Sequence, residues 1–315
     1  MKSNMNSRAG RALVLIVTVI IYSTVICTEY DYDFLYAFGR ENQSKSKLSS
    51  GLDIQEIKTQ IIKVGDIDIA YKKFGKGEPI LLINGFGNSL DDWHPIFLQK
   101  LAENYTVITF DNRGVGNTTF GDRKFTIKQF AWDTNNFLEA INVTKTHVLG
   151  FSMGGRIAQE LAVDNPDKID KLIIHATACS GTKQEPASPE VLNILSDKKL
   201  TADEMSEKLR TVLYPEGFDF GTLPKSKVSV SDKTIALQRE AISQWPGVCK
   251  QLRDIDKDTL VIVGTEDNLA PPSNSLQISS EIPGAWLVQI KNAGHPLEMQ
   301  FPEKFSNVIL IFLET

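Results

Sequence analysis

The chain has few of the residues that metal, redox or nucleic-acid chemistry needs. Its 315 residues include only three cysteines and four histidines. Cys27, Cys179 and Cys249 lie far apart and fit neither C-x-x-C nor zinc-ligand spacing. Cys27 ends an apolar run. Cys179 and Cys249 are expected to be free, buried thiols; a disulfide between them needs a compartment outside the cytosol. Basic residues are in deficit, 34 Lys and Arg against 39 Asp and Glu, for a net charge of -5. That balance argues against a nucleic-acid partner or an anionic surface held by bulk charge. No internal repeat is apparent. GVGN after Arg113 resembles part of a dinucleotide loop but lacks the following glycine and the acid such a loop needs. What remains is ordinary globular composition, 42% apolar and 23% charged, with length enough for one large domain or two small ones.

The N-terminus stands apart from this. Lys2, Arg8 and Arg11 precede ALVLIVTVIIYSTVIC, and Glu29, Asp31 and Asp33 follow it. A basic flank, an apolar core and an acidic exit make residues 1–27 a signal peptide or a membrane anchor. Val25 and Cys27 make a poor A-x-A cleavage site, so an uncleaved anchor is the preferred reading. Either way the rest of the chain is expected outside the cytosol, membrane-anchored or secreted. Residues 28–55 read as a polar linker. N-x-S/T sequons at Asn42, Asn104, Asn117 and Asn142 are glycan acceptors in an exported protein.

From residue 56 to 315 the pattern alternates strand and helix. IKTQIIKV and IDIAYKKFG read as a hairpin around Gly65 and Asp66. EPILLING is a continuous apolar run, as a strand covered on both faces should be. A helix with Ser89 as N-cap candidate follows, then the strand YTVITF, the helix TIKQFAWDTNNFLEAIN, the strand THVLGFS, the helix MGGRIAQELAVDNP and the strand KIDKLIIHATA. Alternation then stops. Residues 182–256, approximately, carry only helical segments, the last running from Thr234 to Val248, before TLVIVGTED resumes the strands. The expectation is an α/β fold with a mostly parallel eight-stranded sheet, helices on both faces, and a helical cap inserted between strands 6 and 7.

Sites in such sheets form at the carboxyl ends of strands. Four features fall there. In GFSMGG, Ser152 sits on a strand-to-helix turn with Gly150 and Gly154 two residues either side, and Gly155 lets the helix pack closely. This G-x-S-x-G pattern lifts a hydroxyl above the sheet. In GTEDNLAPP, Glu266 and Asp267 compete as an acid that orients an imidazole. In NAGHPLE, His295 is the only histidine that follows both serine and acid; His147 and His175 fall in strands beneath the site and read as hydrogen-bonded core residues, and His94 lies in the first helix. In INGFGNS, the Phe86 N–H is the candidate oxyanion donor, with the Met153 N–H as its partner.

GFSMGG, DNRGVG, GTEDNLAPP and AGHPLEMQFPEKF together resemble the α/β-hydrolase superfamily, most of all its esterase, lactonase and perhydrolase branch. The resemblance runs from about Ile57 to the C-terminus and is weakest across the helical insertion. It favours Asp267 over Glu266. It implies a Ser152–His295–Asp267 serine hydrolase acting on a small ester, thioester or lactone, with perhydrolysis, acyl transfer or C–C cleavage as alternatives on the same residues. A non-catalytic binding protein is the reading from another class. No metal or organic cofactor is implied. Asp111, Arg113 and Gly114 become structural turn residues, and the helical block becomes a cap whose apolar surface includes Leu195, Leu209, Val212, Leu213, Phe218, Phe220 and Trp245. One departure stands out: Asn84 precedes Gly85 where the family usually has histidine. Oligomeric state is left open.

Overall fold

The computed structural model describes residues 54–180, 184–224 and 230–315. The apolar N-terminal segment, nearly all of the linker and the Asn42 sequon lie outside the described residues. Among those described, no helix is long and apolar enough to cross a membrane.

Eight strands form one sheet: β1 (Gln60–Val64), β2 (Ile67–Gly75), β3 (Pro79–Ile83), β4 (Thr106–Phe110), β5 (Thr146–Phe151), β6 (Ile169–His175), β7 (Thr259–Gly264) and β8 (Trp286–Ile290). Their order is β1-β2-β4-β3-β5-β6-β7-β8. β2 pairs antiparallel with β1 and β4, and every other pairing is parallel. The parallel part is parallel because each connection crosses over through a helix. The crossover helices are α1 (Pro95–Ala102), α2 (Ile127–Ala140), α3 (Met153–Asp164) and α7 (Pro272–Glu281); α8 (Leu297–Gln300) and α9 (Pro302–Leu313) follow the last strand. Between β6 and β7 lie α4 (Pro189–Ser196), α5 (Ala202–Leu213) and α6 (Asp232–Ser243).

The period of two along each strand divides the core. Leu81, Ile83, Ile108 and Val261 face α2 and α3, where Phe130, Phe137, Ile157 and Leu161 meet them. Ile80, Leu82, Val107, Leu260 and Ile262 face α1 and α9, against Phe97, Leu101, Phe305 and Ile309. A third cluster joins α4, α5 and α6 through Val191, Met205, Leu209 and Ile235, with Phe86 packed against it. The Cα register puts β3 between β4 and β5. The chain leaves β3 toward the α1 face and returns from β4 through α2 on the other face. The crevice at the carboxyl ends of β3 and β5 is therefore the switch point where such sheets hold ligands.

Several expectations need correction. Cys179 and Cys249 are not free thiols but form a disulfide, with Cα atoms 4.8 Å apart. Distance along the chain hid the pairing: 70 residues separate them. The first helix starts at Pro95 with the His94 side chain as its cap, not at Ser89. Ser89 is engaged in a turn, its N–H and hydroxyl both donating to Asp92 while Leu90 N–H donates to Asp111. The last cap helix ends at Ser243, short of Val248, because Pro246 cannot continue it and Gly247 takes φ +85°. Trp245 belongs to the core of the body, not the cap: it is buried and donates through Nε1 to Glu160 on α3 at 2.7 Å.

Candidate active site

β5 runs straight into α3 at Ser152. The turn forces Ser152 to φ 54° and ψ −115°, a region unfavourable for any residue with a Cβ. It persists because its surroundings over-determine it. Ser152 N–H donates to the His175 carbonyl at 2.9 Å, and Gly155 N–H donates back to Ser152 at 2.9 Å. The flanking glycines have no room for side chains. A Cβ on Gly150 would lie 2.3 Å from the Gly154 carbonyl oxygen, and one on Gly154 would lie 2.0 Å from that of Ile83. Gly155 abuts Thr177, where a Cβ would meet Cγ2 at 2.6 Å.

The structure brings Ser152, His295 and Asp267 into one hydrogen-bonded chain. His295 Nε2 is 3.0 Å from Ser152 Oγ. Its Nδ1 is 2.9 and 3.0 Å from the two carboxylate oxygens of Asp267. The Asp267 side chain is wholly buried and also accepts from the Leu269 and Ala270 N–H groups at 2.9 and 2.8 Å. Those donors aim the carboxylate at the ring. A neutral ring that donates through Nδ1 to this carboxylate leaves Nε2 as an acceptor for the serine hydroxyl. Glu266 points to solvent instead, although its backbone N–H is tied to Ala293.

The loop after β3 lies against the serine. A Cβ on Gly85 would be 3.3 Å from Ser152 Cβ. Asn84 shapes that loop from within: its Oδ1 accepts from Gly85 N–H and its Nδ2 donates to Ser89, both at 2.8 Å. Asparagine thus pins the loop at the position where histidine was expected. Among the described residues, no acceptor takes the N–H of Phe86 or of Met153. Met153 is also the first residue of α3, whose dipole favours negative charge there.

Other residues singled out in the sequence have different roles. The Arg113 guanidinium is buried between Asp66 and Asp133, at 2.8 and 2.7 Å. Asp111 accepts from Leu90 and Asn117 N–H groups, and burial pushes its carboxyl up to about 6. His94 caps α1, and burial lowers its pKa. His147 does not lie beneath the site. It sits at the opposite end of the sheet between Glu78 and Asp170, with its pKa also lowered by burial.

Sequence reasoning missed three supports of the site. Glu298, three residues past His295, is buried and bonds His175 Nε2 at 2.8 Å. The His175 ring stacks on Phe151, which in turn lies 5.1 Å from the His295 ring. Leu213, at the end of α5, accepts from the His295 N–H at 3.0 Å. Gln238 on α6 accepts from the Gly87 N–H at 2.9 Å. Only a surplus of polar residues on an otherwise apolar helix face hinted at the last.

A family model described as alpha/beta hydrolase fold matches residues 78–302. The chain belongs to that family. A putative non-heme bromoperoxidase of Mycobacterium tuberculosis is 29% identical over 259 residues, 78% of this chain and 97% of that protein. A putative carbamate hydrolase of Caulobacter vibrioides is 26% identical over 251 residues, 75% of this chain and 90% of the relative. Among solved structures, an enol-lactonase from Burkholderia xenovorans superposes with a TM-score of 0.72 at 22% identity, covering 81% of this chain and 100% of the other. A thermophilic esterase from Thermogutta terrifontis gives 0.71 at 24% identity, covering 82% and 98%. At that identity the two structures support the fold alone. The hydrolase family's sheet is the one described above, and Ser152 stands at its switch point.

Proposed function

We propose that this α/β-hydrolase family member is a serine hydrolase that cleaves a small carboxylic ester, thioester or lactone. The observation that carries the reading is the Ser152–His295–Asp267 chain, with both contacts at hydrogen-bond distance and the acid fully buried. Ser152 Oγ attacks the carbonyl carbon while His295 Nε2 takes its proton. The carbonyl oxygen becomes an oxyanion held by the Phe86 and Met153 N–H groups. The tetrahedral intermediate collapses to an acyl-enzyme as His295 protonates the leaving oxygen or sulfur. Water then attacks, with His295 as base, and the acid is released. Asp267 keeps the ring in the required tautomer and balances its positive form. Similarity to a protein named as a putative carbamate hydrolase supports acyl chemistry.

The Cys179–Cys249 disulfide, together with the apolar N-terminal run, supports placing the enzyme outside the cytosol. Labelling with a fluorophosphonate tests the chemistry: the wild type should take one label and Ser152→Ala none. A wild-type protein that stays unlabelled would sink the proposal.

A further inference from the structure

We propose that Glu78, His147 and Asp170 form a binding site for a divalent transition-metal ion such as zinc, at the end of the sheet opposite Ser152. β3, β5 and β6 are neighbours and run parallel, so the residues that begin them come together. Glu78 immediately precedes β3, and His147 and Asp170 are each the second residue of their strand. One ring nitrogen and one oxygen from each carboxylate lie within 4.8 Å of one another. His147 Nε2 is 3.4 Å from Glu78 Oε2, and Nδ1 is 3.5 Å from Asp170 Oδ2. Ligand atoms about 2.0–2.1 Å from a tetrahedral zinc stand roughly 3.3–3.4 Å apart, so small side-chain rotations complete the set.

The ring separates this cluster from an ordinary patch of surface acids. The His147 side chain is only 3% exposed, and its Nδ1 has no hydrogen-bond partner among the described residues. Burial lowers its pKa, so the ring is neutral at pH 7. A neutral imidazole has one N–H and one lone pair. Each nitrogen has a carboxylate beside it, so either tautomer leaves a lone pair next to an anionic oxygen with no proton between them. A metal ion between that nitrogen and that oxygen removes the repulsion without charging the buried ring. The donors also have a way to water: the Glu78 side chain is 77% exposed and that of Asp170 37%. Two lysines face the cluster. Lys145 pairs with Asp170 Oδ1, which leaves Oδ2 for a metal. Lys171 opposes positive charge on the ring, but its ammonium donates to the Phe312 carbonyl and the Thr315 hydroxyl. The Tyr105 ring packs edge-to-face on the imidazole, with centroids 5.7 Å apart. One imidazole nitrogen with carboxylate oxygens suits zinc, cobalt or nickel, whereas magnesium and calcium prefer oxygen alone. Bound there, the ion ties together the starts of three central strands.

The experiment uses the untagged full chain, stripped with EDTA, dialysed, and titrated with Zn2+ by calorimetry. One Zn2+ should bind per chain with a Kd of about 10 μM or tighter, and should raise the thermal midpoint as its concentration rises. Mg2+ should not compete. Glu78→Gln, at an exposed position, should weaken zinc binding by about tenfold or more, since even partners outside the ligand shell cost that much. His147→Phe should abolish it. Lys145→Met should tighten it, because Asp170 loses the ammonium that competes with the metal. Zinc held elsewhere on the chain predicts none of these three changes. Weaker binding by the wild type, or an affinity that Glu78→Gln leaves unchanged, overturns the inference. So does a Lys145→Met protein that binds no more tightly than the wild type. Glu78→Gln and Lys145→Met keep the test decisive if His147→Phe does not fold. The site is independent of the hydrolase reading, which the Ser152→Ala labelling tests separately.

Discussion

The His175 imidazole and the Glu298 carboxyl form a buried hydrogen-bonded pair. His175 Nδ1 faces the Ile262 carbonyl at 3.2 Å, while Nε2 faces Glu298 at 2.8 Å. Both ring nitrogens thus meet oxygen. Removing one member leaves an uncompensated polar group. Glu298→Leu should cost about 3–5 kcal/mol, and the double variant with His175→Phe much less. Urea unfolding of both singles and the double checks this; equal, additive losses would refute the pairing.

The strain at Ser152 predicts a trade between stability and chemistry. Glycine accepts positive φ, so Ser152→Gly should be more stable than Ser152→Ala by roughly 1 kcal/mol. Neither should hydrolyse esters. Thermal unfolding of the two inactive variants side by side isolates the backbone contribution. Equal midpoints would show that the turn is not strained.

Asp267 and Glu266 are neighbours in sequence but not in environment. Asp267→Asn removes the carboxylate that selects the His295 tautomer, and should lower kcat on the order of 10⁴-fold. Glu266→Gln, at an exposed position, should change kcat less than about twofold. Steady-state kinetics on one activated ester distinguishes them, and a large loss at Glu266 would reverse the assignment.

Acid should weaken the protein through its buried histidines. Burial lowers the pKa of His94 and of His147, although acidic neighbours oppose it in both. Their neutral forms therefore contribute stability that is complete above the unfolded histidine value of about 6.5 and lost as pH falls through the lower folded values. Asp111, raised to about 6 by burial, works in the opposite direction: its contribution is present below about 3.9 and lost as pH rises through 6. Asp66, held low by Arg113, adds acid sensitivity only below about 3.9. A single variant separates these effects. His94→Asn keeps a cap acceptor for α1 and does not titrate. Its urea midpoint should gain on the wild type as pH falls from 7 to 5, and parallel curves would refute the assignment.

The disulfide closes the cap. Cys179 follows β6 by a few residues and Cys249 precedes β7, so the bond ties both ends of the insertion together across 70 residues. Reduction, or Cys249→Ser, should cost roughly 4 kcal/mol by loop closure. Calorimetry with and without reductant measures it, and an unchanged midpoint would count against the bond.

The strands, the serine turn and the order of serine, acid and histidine were legible in the sequence because each depends on local rules. Unbroken apolar runs specify strands covered on both faces. Gly150 and Gly154 are needed wherever a strand turns so sharply into a helix. His295 was singled out by elimination, since the chain holds so few histidines, and the structure places it beside Ser152 and Asp267. What stayed hidden depends on groups far apart in sequence. The family resemblance favoured Asp267 over Glu266, but the physical reason, the Leu269 and Ala270 amides and the His295 ring closing around it, exists only in the folded chain. Nothing in Cys179 foretells Cys249, nor in His175 Glu298. Ser89 looked like a helix cap until Asp92 and Asp111 claimed its turn. The sequence by itself determined the sheet and the tight serine turn at the end of β5, through periodicity and backbone sterics. Only the tertiary structure decided that Cys179 pairs with Cys249, that Glu298 meets His175 and that a cap glutamine holds the loop after β3, because burial and hydrogen bonding between distant segments exist only once the chain has folded.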